Sequence, residues 1–235
     1  MLHYHGTPIS PRSKLIEELM GRCFCVSYAE PRDLEICHEI GQSVLLDNGA
    51  YTFWRQGGIE PDWRGYYRWV QEWLEHRTTW AVIPDVIAGS EEDNDRLLIA
   101  WYQRRLPRGA PVWHMHESLE RLRRLCHGYE RVCIGSSAQY ADPNSPRWER
   151  RMDETWNAIH DSGAWMHMLR AMTRVASGPW PFASADSSTL ARCHAGNNTR
   201  NGAPKALRRM ADEIDARQPP ARWEPVVHQE TLPAH

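Results

Sequence analysis

The stretch "RVCIGSSAQYADPNSPRWERRMDETWNAIHDSGAWMHMLR", residues 131–170, holds the pattern that decides the fold. A short apolar run, "RVCIGSS" (131–137), closes on Gly and Ser; an amphipathic segment, "PRWERRMDETWNAIHDSG", opens at Pro146; a second apolar run, "WMHMLR" (165–170), follows it. Short apolar or β-branched runs bounded by polar residues read as strands. Apolar residues recurring every three or four positions read as a helix. Strand, helix, strand in that order is a βαβ unit, in which two parallel strands need a helical crossover.

The same alternation extends in both directions. Strand-like runs are "LHYHG" (2–6), "CFCVSYA" (23–29), "SVLLDNG" (43–49), "WAVIPDV" (80–86), "PVWHMH" (111–116) and "FASADSS" (182–188), which with the two above make eight. Between them lie "SKLIEELMG", "PRDLEICHEIG", "WRGYYRWVQEWLEHR", "EEDNDRLLIAWYQRRL" and "LERLRRLCHGY", each with helical periodicity, and "PKALRRMADEIDARQ" follows the eighth strand. The expected fold class is α/β, a compact (β/α)8 TIM barrel spanning residues 1–217, with a Pro-rich tail at 218–235 expected to be poorly ordered. A doubly wound open sheet is the rival, but no GxGxxG turn supports a dinucleotide site in it.

Composition sets the bounds. With 235 residues, 41% hydrophobic and 25% charged, the chain suits one globular domain, and no apolar run reaches the roughly 20 residues of a membrane span. The start "MLHYHGTPISPRSK" lacks the basic flank and apolar core of a signal peptide, so the expected compartment is the reducing cytoplasm. The cysteines at 23, 25, 37, 126, 133 and 193 include no CxxC pair and read as core fillers rather than a zinc site. Net charge is -2, yet of 28 basic residues only Lys14 and Lys205 are lysine, leaving 26 arginines, clustered in "YQRRLPRG", "ERLRRL" and "RWERR". Arginine's planar fork suits phosphate, although composition alone favours solvated helix faces.

In a (β/α)8 barrel the active site lies at the C-terminal ends of the strands. Those ends carry His3 and His5; Asp47 with Asn48, Gly49 and Tyr51; Asp85; His114 and His116; Gly135 with Ser136; His167 with Met168; and Asp186. Any one of these aspartates could be a cap or an ion-pair partner. Three aspartates and several imidazoles in one cleft exceed what packing requires and favour chemistry.

The strand-end signatures "LLDNGAY", "IPDV", "IGSS", "HMLR" and "SADSS" resemble, in that order, the tRNA-guanine transglycosylase superfamily, especially its compact phage and bacterial branch that modifies DNA with 7-deazaguanines. The resemblance runs from about the first strand to about Ala191. It implies exchange of guanine in a polynucleotide for a 7-deazaguanine base, such as preQ0 or preQ1, with no cofactor. On this resemblance Asp186 is the nucleophile that attacks the sugar C1′, and its neighbouring hydroxyls keep it oriented and ionised. Asp47 manages protons. Asp85 reads the N1–H and exocyclic amine of a guanine-like edge, which adenine cannot offer. Tyr51 stacks on the base with Met168 opposite, and the amide of Gly135 approaches the base carbonyl. Asn48 and Ala50 stand where the family has Ser and a second Gly, so the loop is expected to approach the substrate less closely. His114 and His116 replace a Gln-Gly-Gly run and are candidate base contacts. The tRNA enzymes' CxCxxC plus His zinc site has no counterpart, since "ARCHAGNN" offers only Cys193 and His194. The expected polymer is therefore DNA, with tRNA second.

Two other readings remain at this point. His3, His5, His114, His116 and Asp186 are similar to the HxH, later imidazoles and final aspartate of metal-dependent amidohydrolases, although the sixth strand ends in "IGSS" without a histidine. A catalytically silent transglycosylase-like binding subunit is the third.

Overall fold

The computed structural model describes residues 1–57, 61–195 and 206–226. Its strands are β1 (Leu2–Gly6), β2 (Cys23–Ser27), β3 (Ser43–Asp47), β4 (Thr79–Val82), β5 (Gly109–Ala110), β6 (Val112–His114), β7 (Arg131–Gly135), β8 (Trp165–Met168) and β9 (Ser184–Ser187). They form one all-parallel sheet in the order β5-β4-β3-β2-β1-β9-β8-β7-β6. β5 and β6 are successive pieces of one extended run, separated by Pro111, which has no N–H to give to a ladder. β5 pairs with β4 and β6 with β7, so this run bridges the two edges and the sheet nearly closes into a TIM-like barrel. Nine strands are thus the eight of the sequence pattern with one short addition, β5, which lies just before the expected fifth run at 111–116.

The helices are α1 (Ser13–Leu19), α2 (Leu34–Ile40), α3 (Ala50–Arg55), α4 (Trp63–Trp73), α5 (Glu91–Gln103), α6 (Leu119–Gly128), α7 (Pro146–Ile159), α8 (Met172–Ala176), α9 (Thr189–Ala195) and α10 (Leu207–Asp215). Their starts follow ordinary capping chemistry. Ser90, Ser118 and Ser145 each accept a hydrogen bond from the third residue of the helix they open, and Asp93 returns one to Ser90 in a capping box. The short α3, α8 and α9 carry too few turns to show periodicity. Among the described residues no helix is long and apolar enough to cross a membrane.

Strand alternation sorts the side chains into two populations. Phe24, Val26, Val44, Leu46, Ala81 and Ile83 pack outward beneath the helices of one half; Trp113, Val132, Ile134, Met166, Met168 and Ala185 do so beneath the other. Inside the barrel sit Tyr4, Cys23, Cys25, Leu45, Trp80, Val82, Ala110, Val112 and Cys133. Tyr4 and Trp80 meet edge to face at 5.7 Å, and the Trp80 indole donates to the Tyr4 hydroxyl at 2.9 Å. The guanidinium of Arg131 lies 4.4 Å from the Trp80 ring centre and 5.4 Å from that of Trp165, beneath this layer. The barrel is therefore a packed core up to the level of its upper rim.

The tail departs from the expected disorder as far as residue 226. Trp223 is buried and donates its indole N–H to Asn157 Oδ1 at 2.9 Å, while Asn157 Nδ2 donates to the Val226 carbonyl at 2.9 Å. An aromatic anchor offsets what the prolines suggest. Residues 227–235, the rest of that tail, lie outside the described residues, as do the first residues of "PKALRRMADEIDARQ".

Candidate active site

One cavity of about 820 Å³ opens at the C-terminal ends of the strands, within the size range of small-molecule sites. Asp47, Asn48, Tyr51, Asp85, His114, Gly135 and Asp186 all line it. Period-2 alternation explains the convergence: Asp47 follows inward-facing Leu45 by two residues, His114 follows Val112, Gly135 follows Cys133, and Asp186 follows Ser184.

Asp47 closes β3, paired in register with Ser27 of β2. Its Oδ2 accepts from the Gly49 amide at 3.1 Å. Burial pushes its carboxyl up to about 6; the charges of Asp186 and Asp85 act the same way, while the Ser27 hydroxyl and Arg170 oppose. Gly49 has φ of 77°, and a side chain there would press on Phe53 and Ala29, so glycine is needed to turn β3 into α3. Asn48 makes three hydrogen bonds within the protein while lining the cavity. Its Oδ1 accepts from Ala50 at 2.9 Å and its Nδ2 donates to Ile83 O at 2.9 Å and Asp85 Oδ1 at 2.7 Å. Expected as a base contact, it lines the cavity and also fixes Asp85.

The second Asp85 oxygen lies 2.9 Å from His114 Nε2. With Asp85 ionised, the imidazole carries its proton on Nε2. Behind the pair, buried Glu117 accepts from the His114 amide at 2.9 Å, from Asn94 Nδ2 at 3.0 Å and from Arg121 Nη1 at 2.7 Å. Asn94 Oδ1 in turn accepts from the Val86 amide, so α5 and α6 together hold the "IPDV" loop. Asp85 is not a helix cap, since Ser90 fills that role. His114 pairs in register with Gly135, and a Cβ at 135 would lie 3.0 Å from His114 Nδ1. Glycine at this position makes room for the imidazole.

Asp186 is held differently from Asp47. Its Oδ1 accepts from the Arg170 amide at 3.0 Å and lies 3.3 Å from His167 Nε2. The hydroxyls expected to orient it do not: Ser187 Oγ bonds to Thr189 Oγ1 at 2.6 Å and caps the turn into α9. His167 is fully buried, with Nδ1 2.8 Å from Ser184 Oγ, its neighbour in register. Burial holds the His167 pKa below the ordinary value, with Asp186 only partly compensating. The neutral ring thus donates from Nε2 to the carboxylate and accepts the Ser184 hydroxyl proton at Nδ1.

Arg170 links the two sides. Its backbone has φ of 74°, unusual for a residue with a side chain, its amide binds Asp186, and its guanidinium lies over the Tyr51 ring. Burial would raise the Tyr51 pKa, but the hydrogen bond and charge of Arg170, helped by Arg55, bring it below the usual value. His167 stands among the strand-end residues expected from the sequence, without an assigned role; Arg170 does not.

Four of the residues expected at the strand ends lie elsewhere. Met168 points outward into the helix-covered core, because it sits one residue past inward-facing His167. His116 lies beyond the end of β6, with Nδ1 2.7 Å from Ser137 Oγ, and it does not line the cavity. His3 and His5 flank inward-facing Tyr4 and so face outward. His3 Nδ1 and His5 Nε2 lie 3.2 and 3.0 Å from Asp215 Oδ1 on α10, which Arg22 also engages. Among the described residues no three His, Cys, Asp or Glu side chains converge as a metal site. The histidine set of the hydrolase reading is therefore divided between the two sides of the barrel wall.

Comparison with protein-family models, with curated proteins and with solved structures gives no match.

Proposed function

We propose that the protein is a transglycosylase that exchanges guanine in a polynucleotide, DNA before tRNA, for a 7-deazaguanine base through a covalent aspartyl-glycosyl intermediate. One observation carries this reading: two carboxylates in contrasting environments, Asp47 and Asp186, share a cavity with a third that is fixed by Asn48 and His114. Asp186, ordered by N–H donors, is the nucleophile. Its oxygen bonds to C1′ as the bond from C1′ to N9 breaks, and the departing guanine takes a proton at N9 from Asp47. The incoming base returns its N9 proton to Asp47, N9 bonds to C1′, and the Asp186 ester is released. A carboxyl with a pKa of about 6 suits both directions of transfer near neutral pH. Asp85 accepts from the Watson–Crick edge, since each carboxylate oxygen already bonded once has a further lone pair to offer. Tyr51 supplies a stacking face once Arg170 withdraws from it.

The test is incorporation of labelled guanine into single-stranded DNA, duplex DNA and tRNA, with mass spectrometry of nucleosides after supply of a deazaguanine. Wild type is expected to exchange, and Asp186→Ala not to. Absence of exchange in all three polymers by the wild type sinks the reading.

A further inference from the structure

Beside the main cavity lies a second groove of about 340 Å³, lined in part by Arg170, Arg174, Arg192, Asn144, Thr173 and Ser187. Arg170, Ser187 and Arg192 also line the main cavity, so the two are continuous. Among the described residues no carboxylate lines the groove. Glu149 pairs with Arg174 at 3.2 Å and accounts for part of one charge, leaving the groove cationic and rich in hydroxyl and amide donors. Guanidinium groups with hydroxyls and no competing acid are the donor set that phosphate esters select.

We propose that this groove binds the phosphodiester joining the reacting nucleotide to its neighbour, so that the strand passes from the cavity over Arg170 and onto Arg174 and Arg192. The proposal rests on the polynucleotide reading above and adds where the strand leaves the site. It also gives Arg170 a second task, since the residue that covers Tyr51 borders the phosphate path as well.

The test reads binding and so is independent of catalysis. A labelled single-stranded oligodeoxynucleotide with one guanine is titrated by fluorescence anisotropy between 50 and 200 mM salt. It is compared with the same strand carrying a neutral methylphosphonate at either phosphate flanking the guanine. Each phosphate neutralised on a single strand contributes a slope of about -0.7 in the double-logarithmic salt plot, roughly 2.6-fold in affinity over that range. Arg192→Gln is expected to flatten the slope by about that amount. One of the two methylphosphonates is expected to weaken wild-type binding severalfold and to leave Arg192→Gln binding unchanged. Arg192 is exposed, so its replacement spares the fold, which thermal melting verifies; Arg174, 4.9 Å from the Trp180 ring centre, is the second variant. Equal methylphosphonate penalties in wild type and both variants overturn the proposal. So does no oligonucleotide binding by the wild type, or Arg192-dependent binding confined to free guanosine monophosphate or inorganic phosphate. Base exchange measured on the same preparations separates the two claims: loss of exchange with Arg192-dependent strand binding intact refutes the transglycosylase and spares the groove.

Discussion

Asp47→Asn is expected to make the protein more stable at neutral pH while removing its activity. A carboxyl moved from 3.8 to about 6 carries about 3 kcal/mol against its ionised form well above that pH. The native carboxyl holds its proton more tightly than the unfolded one, so its contribution to stability declines as pH rises from about 4 to about 6 and is level beyond. Asparagine does not titrate and escapes that decline. It keeps one oxygen to accept from Gly49 or Ser27 but gives up the attraction to Arg170, which reduces the gain to about 1–3 kcal/mol. In a chain of this size that corresponds to roughly 3–10 °C in Tm. The assay is thermal unfolding of wild type and variant side by side from pH 4 to pH 8, using the difference between them so that other titrating groups cancel. The variant's advantage should be near zero at pH 4, grow through pH 6 and be complete by pH 7. A Tm difference that is the same at pH 4 and pH 8 would refute the assignment of a raised pKa to Asp47, and with it the proton-carrier role.

Other outcomes follow from the same geometry. In kcat/KM for the polynucleotide, exchange activity should fall on the alkaline side with a limb near pH 6, as resting Asp47 loses the proton it gives to the departing guanine. His167→Leu removes a donor to a charged oxygen and should lower kcat roughly 10–100-fold with little change in KM, while His167→Gln recovers part of the loss. Asn48→Leu strips one anchor from Asp85 and should raise KM for the base about tenfold, with kcat less affected. A thiol reagent should modify Cys193 alone in the native protein and all six cysteines after denaturation, because the other five are buried and burial raises the pKa of Cys25, Cys37 and Cys133.

The barrel was legible because each buried parallel strand left a short apolar run and each crossover a helical period. What the sequence could not show was which face of a strand points inward. "LHYHG" and "WMHMLR" each alternate, and a shift of one residue exchanges the two faces. Tyr4 faces in and leaves His3 and His5 to α10; His167 faces in and sends Met168 to the core. Asp47, Asp85 and Asp186 stood out because a carboxylate at the end of an apolar run needs a reason to be there. Arg170 gave no signal, since its role depends on a positive φ and on a backbone amide. The arginine clusters are largely exposed, as composition favoured, and some of their members are taken up by the protein itself. Arg121 is buried against Glu117 and Asp95, and Arg108 donates to the Thr79 and His76 carbonyls. The arginines that line the cavity, Arg55, Arg170 and Arg192, lie outside those clusters.

The contrast between the two principal carboxylates comes from where each meets the barrel's dry interior. Below Asp47 lie Leu45, Cys25 and Cys133, and the same burial that raises both thiols raises its carboxyl. Asp186 projects from the neighbouring part of the wall, where the chain turning out of β8 presents the Arg170 amide and where His167, kept neutral by burial, turns its Nε2 toward the carboxylate. A protonated His167 would offer the same donor but would also add a full positive charge beneath the Asp186 carboxylate. Burial opposes that charge and the nearby Arg131 adds to the effect, while the Tyr4 and Trp80 rings pack nearly perpendicular to the imidazole at 5.8 and 5.0 Å. The dry interior thus keeps His167 a neutral donor, and on the proposed mechanism Asp186 is oriented without a full positive charge beneath it.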